Sequence, residues 1–411
     1  MIGVAFAIPE VSADQTYSRS NVAMQKRVAI IYHFFPHYRK GILDLLCRTP
    51  EKYSFLGDPI ASYEGIPAFK FPDDCDFRPA PVRKIFGRPF QWQAIQAAFS
   101  PDFSCVVLLA NPNFVSTWLA ALIARIMRKR VIFWGHGFLS PEKGIKNYVR
   151  KIFFSLASAM YLYGYRAKII AKEFGLRSDR LYVGFNSLDY DRQLVERNKL
   201  ILENNKNSGE GLDGRCVDTV NLLGISRLTA KCQYEILIEA LAAVARQSKK
   251  RFSLTLIGGG PEESRLRALA HSLNVRVNFL GEIYEEGEVA SHIFNADAVI
   301  SPGKVGLTAM HALMFGAPVV THADMDRQMP EAEAIVENIS GILFEYGDVG
   351  DLTRAILEIP GLIKDRQKVR NRCYRIIDEI YNPHRQLEVL IAATEGVPAG
   401  EGDDIQRMWR A

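Results

Sequence analysis

The strongest constraint on this chain is a rhythm that runs through it twice. Short, continuous apolar runs recur between segments of helical periodicity. VAIIYHF (Val28 to Phe34), CVVLLA (Cys105 to Ala110), VIFWG (Val131 to Gly135) and LYVGF (Leu181 to Phe185) mark the first half. VNLLGI, FSLTLIG, VRVNFLG, DAVIS (Asp297 to Ser301), APVVT (Ala317 to Thr321) and GILFE (Gly341 to Glu345) mark the second. A run that is apolar on both faces fits a strand buried inside a parallel sheet. Alternation with helices makes each strand part of a βαβ unit. Two such series predict an α/β protein of two Rossmann-like, doubly wound parallel-sheet domains facing a central cleft. Ligands of such sheets bind beyond the carboxyl ends of the strands, and two facing sheets put the site between domains.

Length agrees, since 411 residues exceed one ordinary core. The expected division is a loosely ordered leader over 1–26, a first domain over 27–200 and a linker or mobile loop over 201–218. A second domain covers 219–362, helices over 363–395 return toward the first domain, and 396–411 form a tail. Between Gly57 and Phe86 the sequence is rich in Pro, Asp and aromatics, which predicts loop with at most one strand. Glu203 to Asp218 is polar and rich in Gly and Asn, hence the linker.

Composition narrows the class. The chain is 48% apolar and 24% charged, so it is globular, and its net charge of +5 suits an anionic ligand without marking a nucleic-acid binder. None of the six cysteines (47, 75, 105, 216, 232, 373) stands in a Cys-x-x-Cys or metal spacing. They are expected as isolated thiols in a reducing cytoplasm. No apolar run reaches the roughly 18–20 residues of a membrane span. IGVAFAIP lacks a basic leader and is not expected to be a signal peptide.

Chemistry gathers at the strand ends of the second half. SPGKVGLTAMHALMFGAPVVT (Ser301 to Thr321) predicts strand end, tight loop, short helix and strand, with Gly316 as the left-handed stop. Backbone amides and the helix dipole after Gly306 could face a phosphate. Thr308 and His311 share one face of the helix. One such loop is equally well an ordinary crossover. Ser226, Arg227 and Lys231 follow VNLLGI, and a diphosphate would suit this Arg and Lys, although a lone pair of cations is more often a solvated face. Gly259 and Gly260 follow FSLTLIG and allow close backbone approach. Glu282 and Ile283 follow VRVNFLG and could flank a planar base.

On GISRLTAK, LTLIGGGPEESRLRALA, VNFLGEI, NADAVISPGKVGLTAMHALMFGAPVVT, MPEAEAI and SGILFEYGD, in that order, the second half resembles the donor-binding domain of retaining GT-B glycosyltransferases of family 4. FPHYRKG, WGHG and VGFNSLD in the first half resemble its acceptor-side loop, histidine-bearing strand end and hinge entry. The resemblance implies a GT-B fold and transfer of a sugar from a nucleotide-diphosphate sugar, with retention, to a glycan or lipid-linked acceptor. It implies Arg227 and Lys231 at the diphosphate and His136 at the donor sugar. Gly306, Leu307 and Thr308 would meet the phosphates, and His37, Tyr38 and Arg39 the acceptor. The family's Glu-x7-Glu motif is replaced: Gly303 and His311 stand at the two glutamate positions. His311 can still hydrogen-bond a ribose hydroxyl and Gly303 offers only backbone; apart from the resemblance, Lys304 is a candidate further cation for the diphosphate. Glu331 or Glu333 could replace a missing glutamate, but a carboxylate at a helix start is the simpler expectation. No cofactor beyond the sugar nucleotide and no metal is implied, and no paired-aspartate motif is seen. The missing glutamates keep two rivals open, a non-catalytic partner binding nucleotide sugar or glycan, and an epimerase or hydrolase on the same frame.

A last expectation concerns a membrane. Between Ser140 and Lys172 stand Lys143, Lys146, Arg150, Lys151, Arg166, Lys168 and Lys172 against Glu142 alone, with Ile145, Tyr148, Val149, Phe153 and Phe154 interleaved. The pattern fits peripheral docking on an anionic membrane's inner face, and equally a surface helix packed on the sheet. The aromatics from Tyr148 to Tyr165 are expected mostly in the core.

Overall fold

The computed structural model describes residues 27–63, 65–138, 144–209 and 219–400. The expected leader, residues 210–218 of the expected linker and the tail beyond residue 400 lie outside the described residues, as do Cys216, Glu142 and Lys143.

The first unit begins with β1 (Arg27–Ile31), α1 (Lys40–Cys47) and β2 (Tyr53–Gly57). An irregular stretch follows, holding β3 (Ser62–Tyr63), β4 (Ile66–Pro67), β5 (Phe77–Pro79), β6 (Arg83–Ile85) and β7 (Arg88–Phe90). Regular alternation resumes with α2 (Trp92–Phe99), β8 (Phe103–Leu109), α3 (Val115–Ile126), β9 (Arg130–Gly135), α4 (Ile145–Ser155), β10 (Ala159–Leu162), α5 (Tyr165–Glu173), β11 (Leu181–Val183) and α6 (Tyr190–Gly209). The second unit runs β12 (Thr219–Ile225), α7 (Tyr234–Gln247), β13 (Arg251–Ile257), α8 (Glu263–Ser272), β14 (Val277–Gly281), α9 (Glu286–Asn295), β15 (Ala298–Ser301), α10 (Leu307–Met314), β16 (Val319–His322), β17 (Gly341–Phe344) and α11 (Val349–Leu362). Two helices close the chain, α12 (Arg366–Glu379) and α13 (Pro383–Glu395).

Each unit is one large sheet with every pairing parallel. The orders are β11-β10-β9-β8-β1-β2-β5 and β14-β13-β12-β15-β16-β17. The buried runs explain why. Ala29, Ile30, Val106, Val107, Val131, Ile132 and Phe133 are all fully buried, as strands covered on both faces must be. Each sheet reverses its winding once, between β1 and β8 and between β12 and β15. Those switch points fix where a crevice opens at the carboxyl ends.

The units are tied together. α13 packs with α1 on the first sheet, where Leu390 and Ala393 join Ile42, Leu43 and Leu46 in one core. Gln386 on α13 accepts from Ser187 at 2.7 Å and donates to the Phe185 carbonyl at 2.8 Å. Arg197 on α6 grips Asp378 on α12 through two nitrogens, both at 3.0 Å.

Four expectations need correction. Residues 201–209 continue α6 rather than forming a linker, because Leu200 and Ile201 pack on the second domain's core and carry the helix through polar sequence. The stretch Gly57 to Phe86 contains several short strands, and β5 extends the large sheet at its edge. Cys47 and Cys75 are disulfide-bonded, since the end of α1 meets the loop before β5 at a Cα separation of 5.1 Å. They are therefore not isolated thiols, and cysteine usage no longer argues for a reducing compartment. Residues 396–400 are held against the first domain rather than trailing as a tail, with the Ala399 amide on the Asp179 carbonyl at 2.9 Å. No helix among the described residues is long and apolar enough to cross a membrane.

Candidate active site

In the second domain the loops after β12, β13 and β15 are laced into one surface at the switch point. The Leu228 amide donates to the Gly259 carbonyl at 2.9 Å, and the Gly303 amide donates to the Cys232 carbonyl at 3.1 Å. Such close approach requires glycine. At Gly258 (φ +126°) and Gly260 (φ +158°) a Cβ would lie 2.0 Å and 2.3 Å from the carbonyl oxygens of Ser226 and Leu228. At Gly303 it would lie 2.1 Å from the Lys231 carbonyl oxygen. No glutamate side chain can leave the backbone at that position in this loop. The absent motif carboxylate is thus built into the fold of the Arg227–Cys232 segment.

This lacing leaves Arg227, Lys231 and Lys304 exposed around the start of α10. Gly306 is the N-cap of α10, and no side chain caps it. Thr308 turns its hydroxyl to the Ile225 carbonyl at 3.3 Å, and Leu307 packs on the core. The result is three cations near an uncapped helix start, an arrangement that attracts anions. One clamp was not foreseen from sequence. Buried Gln328 accepts from the Val305 amide at 2.8 Å and donates to Thr321 at 2.9 Å and to the His322 carbonyl at 3.0 Å. A single polar residue in a loop carries no sequence signal for that role.

His311 is not free. Its Nε2 is 2.8 Å from Glu286 Oε1, and Glu286 also accepts from Gln193 at 2.9 Å. Burial is the largest single influence and would raise the Glu286 carboxyl, but the bond and charge of His311, the Gln193 bond and Arg192 together hold it below the usual carboxylate range. A carboxylate therefore reaches the second motif position from α9, one step removed. Glu282 is exposed and accepts from Tyr284 at 2.8 Å, and Ile283 packs inward.

Across the cleft, His136 ends β9. Its ring meets Tyr163 edge-on at 4.9 Å, and its buried Nδ1 has no partner. Burial, with Arg39 adding repulsion, lowers its pKa to about 4, so the ring is neutral near pH 7. His33, after β1, is lowered to about 4 by the same two causes in the same order. His136, Gly164 and Arg166 line a pocket with Met329, Pro330 and Glu333 of the second domain. His136 therefore faces the segment after β16 of the second domain.

The three residues expected at the acceptor divide. His37 is exposed, with Nδ1 3.2 Å from the Pro67 carbonyl. Tyr38 is half-buried. Arg39 is buried, bonded to Tyr32 at 3.0 Å and to Tyr163, with its guanidinium over the rings of Tyr32 (4.5 Å) and Trp134 (5.1 Å). It is a charge enclosed by aromatic faces, and it shapes the cleft wall and the nearby histidines. Glu333 does sit at a helix start, but the helix belongs to the other domain. It accepts from the Tyr165 and Arg166 amides at 2.7 and 2.9 Å, capping α5 across the cleft. Glu331 is buried, accepts from Asn186 at 2.7 Å and leaves Oε2 without a partner, and burial raises its pKa. Among the described residues no group of three or more His, Cys, Asp or Glu side chains is placed to hold a metal ion.

Residues 218–376 match the family model described as glycosyl transferases group 1. Among solved structures, Anabaena HepE in complex with UDP aligns over 90% of this chain and 100% of its own, with 16% identity and a TM-score of 0.62. The fold is GT-B. The lipopolysaccharide outer core galactosyltransferase WaaB gives 0.63 at 14% identity over 89% of this chain and 99% of its own. A Rickettsia africae glycosyltransferase gives 0.65 at 14% identity over 91% and 99%. No curated protein matches the chain by sequence. The family match falls on the half of the GT-B fold that carries Arg227, Lys231 and α10, whereas the first domain is alike in fold alone.

Proposed function

We propose that the protein is a glycosyltransferase that takes a sugar from a nucleoside-diphosphate sugar, with retention at the anomeric carbon, and passes it to a glycan or lipid-linked acceptor. The observation that carries this reading is the convergence of Arg227, Lys231 and the uncapped α10 start at the second switch point, with His136 opposite. As the bond to the leaving diphosphate breaks, negative charge grows on its oxygens. Arg227 grips two of them, Lys231 and Lys304 add point charges, and the helix start adds its dipole. Neutral His136 hydrogen-bonds the donor sugar near the reacting carbon. A front-side path, with the leaving phosphate taking the acceptor proton, needs no separate base. HepE, which shares the fold, has been solved with UDP and with UDP-glucose, so UDP is the first nucleotide to try.

The test is thermal stability of the pure chain against UDP-, GDP-, ADP- and CMP-sugars. One nucleotide class raises the melting temperature, and Arg227→Ala abolishes the rise. No shift with any class would count against the reading. The filled Cβ space at Gly303 favours one alternative, a sugar-nucleotide binder without turnover. That alternative keeps the thermal shift but shows no nucleotide release with any acceptor.

A further inference from the structure

Three helices on one face of the first sheet carry large apolar residues on their outer sides. α3 turns Ser116, Thr117, Ala120, Ala121 and Ala124 inward. Its large apolar residues Val115, Leu119, Leu122 and Ile126 form one outward stripe at helical spacing, and Ile126 is 70% exposed. α2 shows the pattern in part, with Ala94, Ile95, Ala97 and Ala98 inside and Trp92 and Phe99 outside. α4 buries Phe153 and Phe154 but presents Ile145 (82% exposed), Tyr148, Val149 and Ile152. The β6–β7 hairpin adds Ile85 and Phe86 at its tip, and Phe86 is wholly exposed.

These elements make one surface. α2 packs beside α3, and Trp118 on α3 meets Phe153 on α4 at 4.9 Å between ring centroids. A cavity of about 350 Å³, lined by Arg83, Ile85, Phe90 and Trp92, joins the hairpin to α2. A soluble helix normally puts its large apolar residues inward, and scattered exposed ones are unremarkable. Exposed large apolar residues on four neighbouring elements mark a contact surface.

Charge identifies what it contacts. Residues 77–172 hold fifteen Lys and Arg against two Asp and Glu (Asp102 and Glu142), whereas the rest of the chain holds 36 against 44. Arg83, Lys84, Arg88, Arg125, Arg128 and Lys146 are exposed on or beside the apolar patch. Large apolar residues rimmed by cations fit a bilayer with anionic headgroups. A nucleic acid would match the cations but leave the aliphatic stripe without a partner. We propose that α2, α3, α4 and the β6–β7 hairpin form a single face that docks the protein on an anionic lipid bilayer.

This differs from an attachment through residues 140–172 alone. Lys168 is buried and donates to the Gly400 carbonyl at 2.6 Å, and Arg166 pairs with Asp326 of the second domain. Lys168 is thus internal, and Arg166 is engaged by the second domain rather than free for a membrane. The docking face moves instead toward α2 and α3, where its stripe starts beside the cleft. Phe114, just before α3, lies 6.1 Å from the His33 ring, and exposed Tyr63 lies 5.3 Å from it on another side. An acceptor anchored in the bilayer would thus meet the first domain's switch point from its own membrane. The docking itself does not depend on glycosyl transfer, and it is read without donor or acceptor.

The experiment is flotation of the full chain with vesicles of phosphatidylcholine alone or with phosphatidylglycerol at three parts in ten. Expected is flotation with the anionic vesicles and little with the neutral ones. Leu122→Glu with Ile126→Glu lowers the bound fraction at least about tenfold while the melting temperature holds, because both side chains are exposed. Arg125→Glu with Arg128→Glu lowers it comparably. Arg246→Glu with Arg251→Glu, the same charge change on the second domain, leaves it unchanged. Failure to float, equal flotation on neutral vesicles, or an equal loss from the second-domain pair would overturn the proposal. So would a self-associating chain whose dimer is lost in the Leu122/Ile126 variant, which would give the face to a second copy.

Discussion

α3 and α7 do the same architectural job in the two domains, since each carries the chain from one parallel strand to its neighbour. Their surfaces are opposite. α7 buries Leu237, Ile238, Leu241 and Val244 and exposes Glu239 and Arg246. α3 fully buries only small residues, packs Trp118 and Ile123 partly against the core, and exposes Leu119, Leu122 and Ile126. The sheet beneath requires only something close-packed, and small residues let α3 sit near it. What a helix shows outward is set by what it meets there. α7 meets water, and the composition of α3 calls for an apolar partner.

The largest effect that could break this contrast is a core truncation. Leu237→Ala should cost about 2–5 kcal/mol in urea unfolding, because a fully buried side chain leaves a cavity. Leu122→Ala, at 49% exposure, should change stability by less than about 0.5 kcal/mol. A comparable loss at both sites would mean that α3 packs against something in the chain itself. Next in size is Gly303→Ala. The Lys231 carbonyl must move to admit the Cβ, so a loss of about 1–3 kcal/mol is expected from overpacking. The nucleotide-dependent rise in melting temperature should shrink as well, because the same movement displaces the segment bearing Arg227. Gly303→Glu should behave no better. If it instead strengthened donor binding, the loop would be softer than its laced geometry implies.

The second domain was the more legible in sequence for a physical reason. Its candidate site is made of local pieces (strand end, glycine loop, helix start) whose residue types follow from backbone geometry, so Gly259, Gly260, Gly306 and Gly316 stand out in the sequence, although it is Gly258 rather than Gly259 whose backbone approach is tightest. The parallel, doubly wound architecture followed from the apolar runs alternating with helices, whereas the strand order comes from the fold. The first domain's site is assembled from afar. Arg39 is enclosed by Tyr32, Trp134 and Tyr163, up to 124 residues distant. Glu333 caps a helix of the other domain. The Cys47–Cys75 pair has no motif spacing. α6 runs on through polar sequence because of the surface it lies against, which no local propensity records. The basic run over 140–172 was visible, but only the fold sorts its internal cations from its exposed ones, and only the fold shows that α3 faces outward.

The smallest effect separates the domains by pH. His33 and His136, both in the first domain, are held near a pKa of about 4 against an ordinary 6.5. Between those values the unfolded chain binds more protons than the folded one, so stability falls as pH drops from 6.5 toward 4. The slope is at most about 1.4 kcal/mol per pH unit for each histidine. Glu331 works against it, because a carboxyl raised by burial makes the folded state gain stability on acidification. Urea midpoints at pH 7 and pH 5 should therefore differ, with the difference reduced in His136→Asn and enlarged in Glu331→Gln. An unchanged difference in His136→Asn would show that the ring takes up its proton in the folded cleft as readily as in water. Burial, with Arg39 adding repulsion, would then not set the charge of His136.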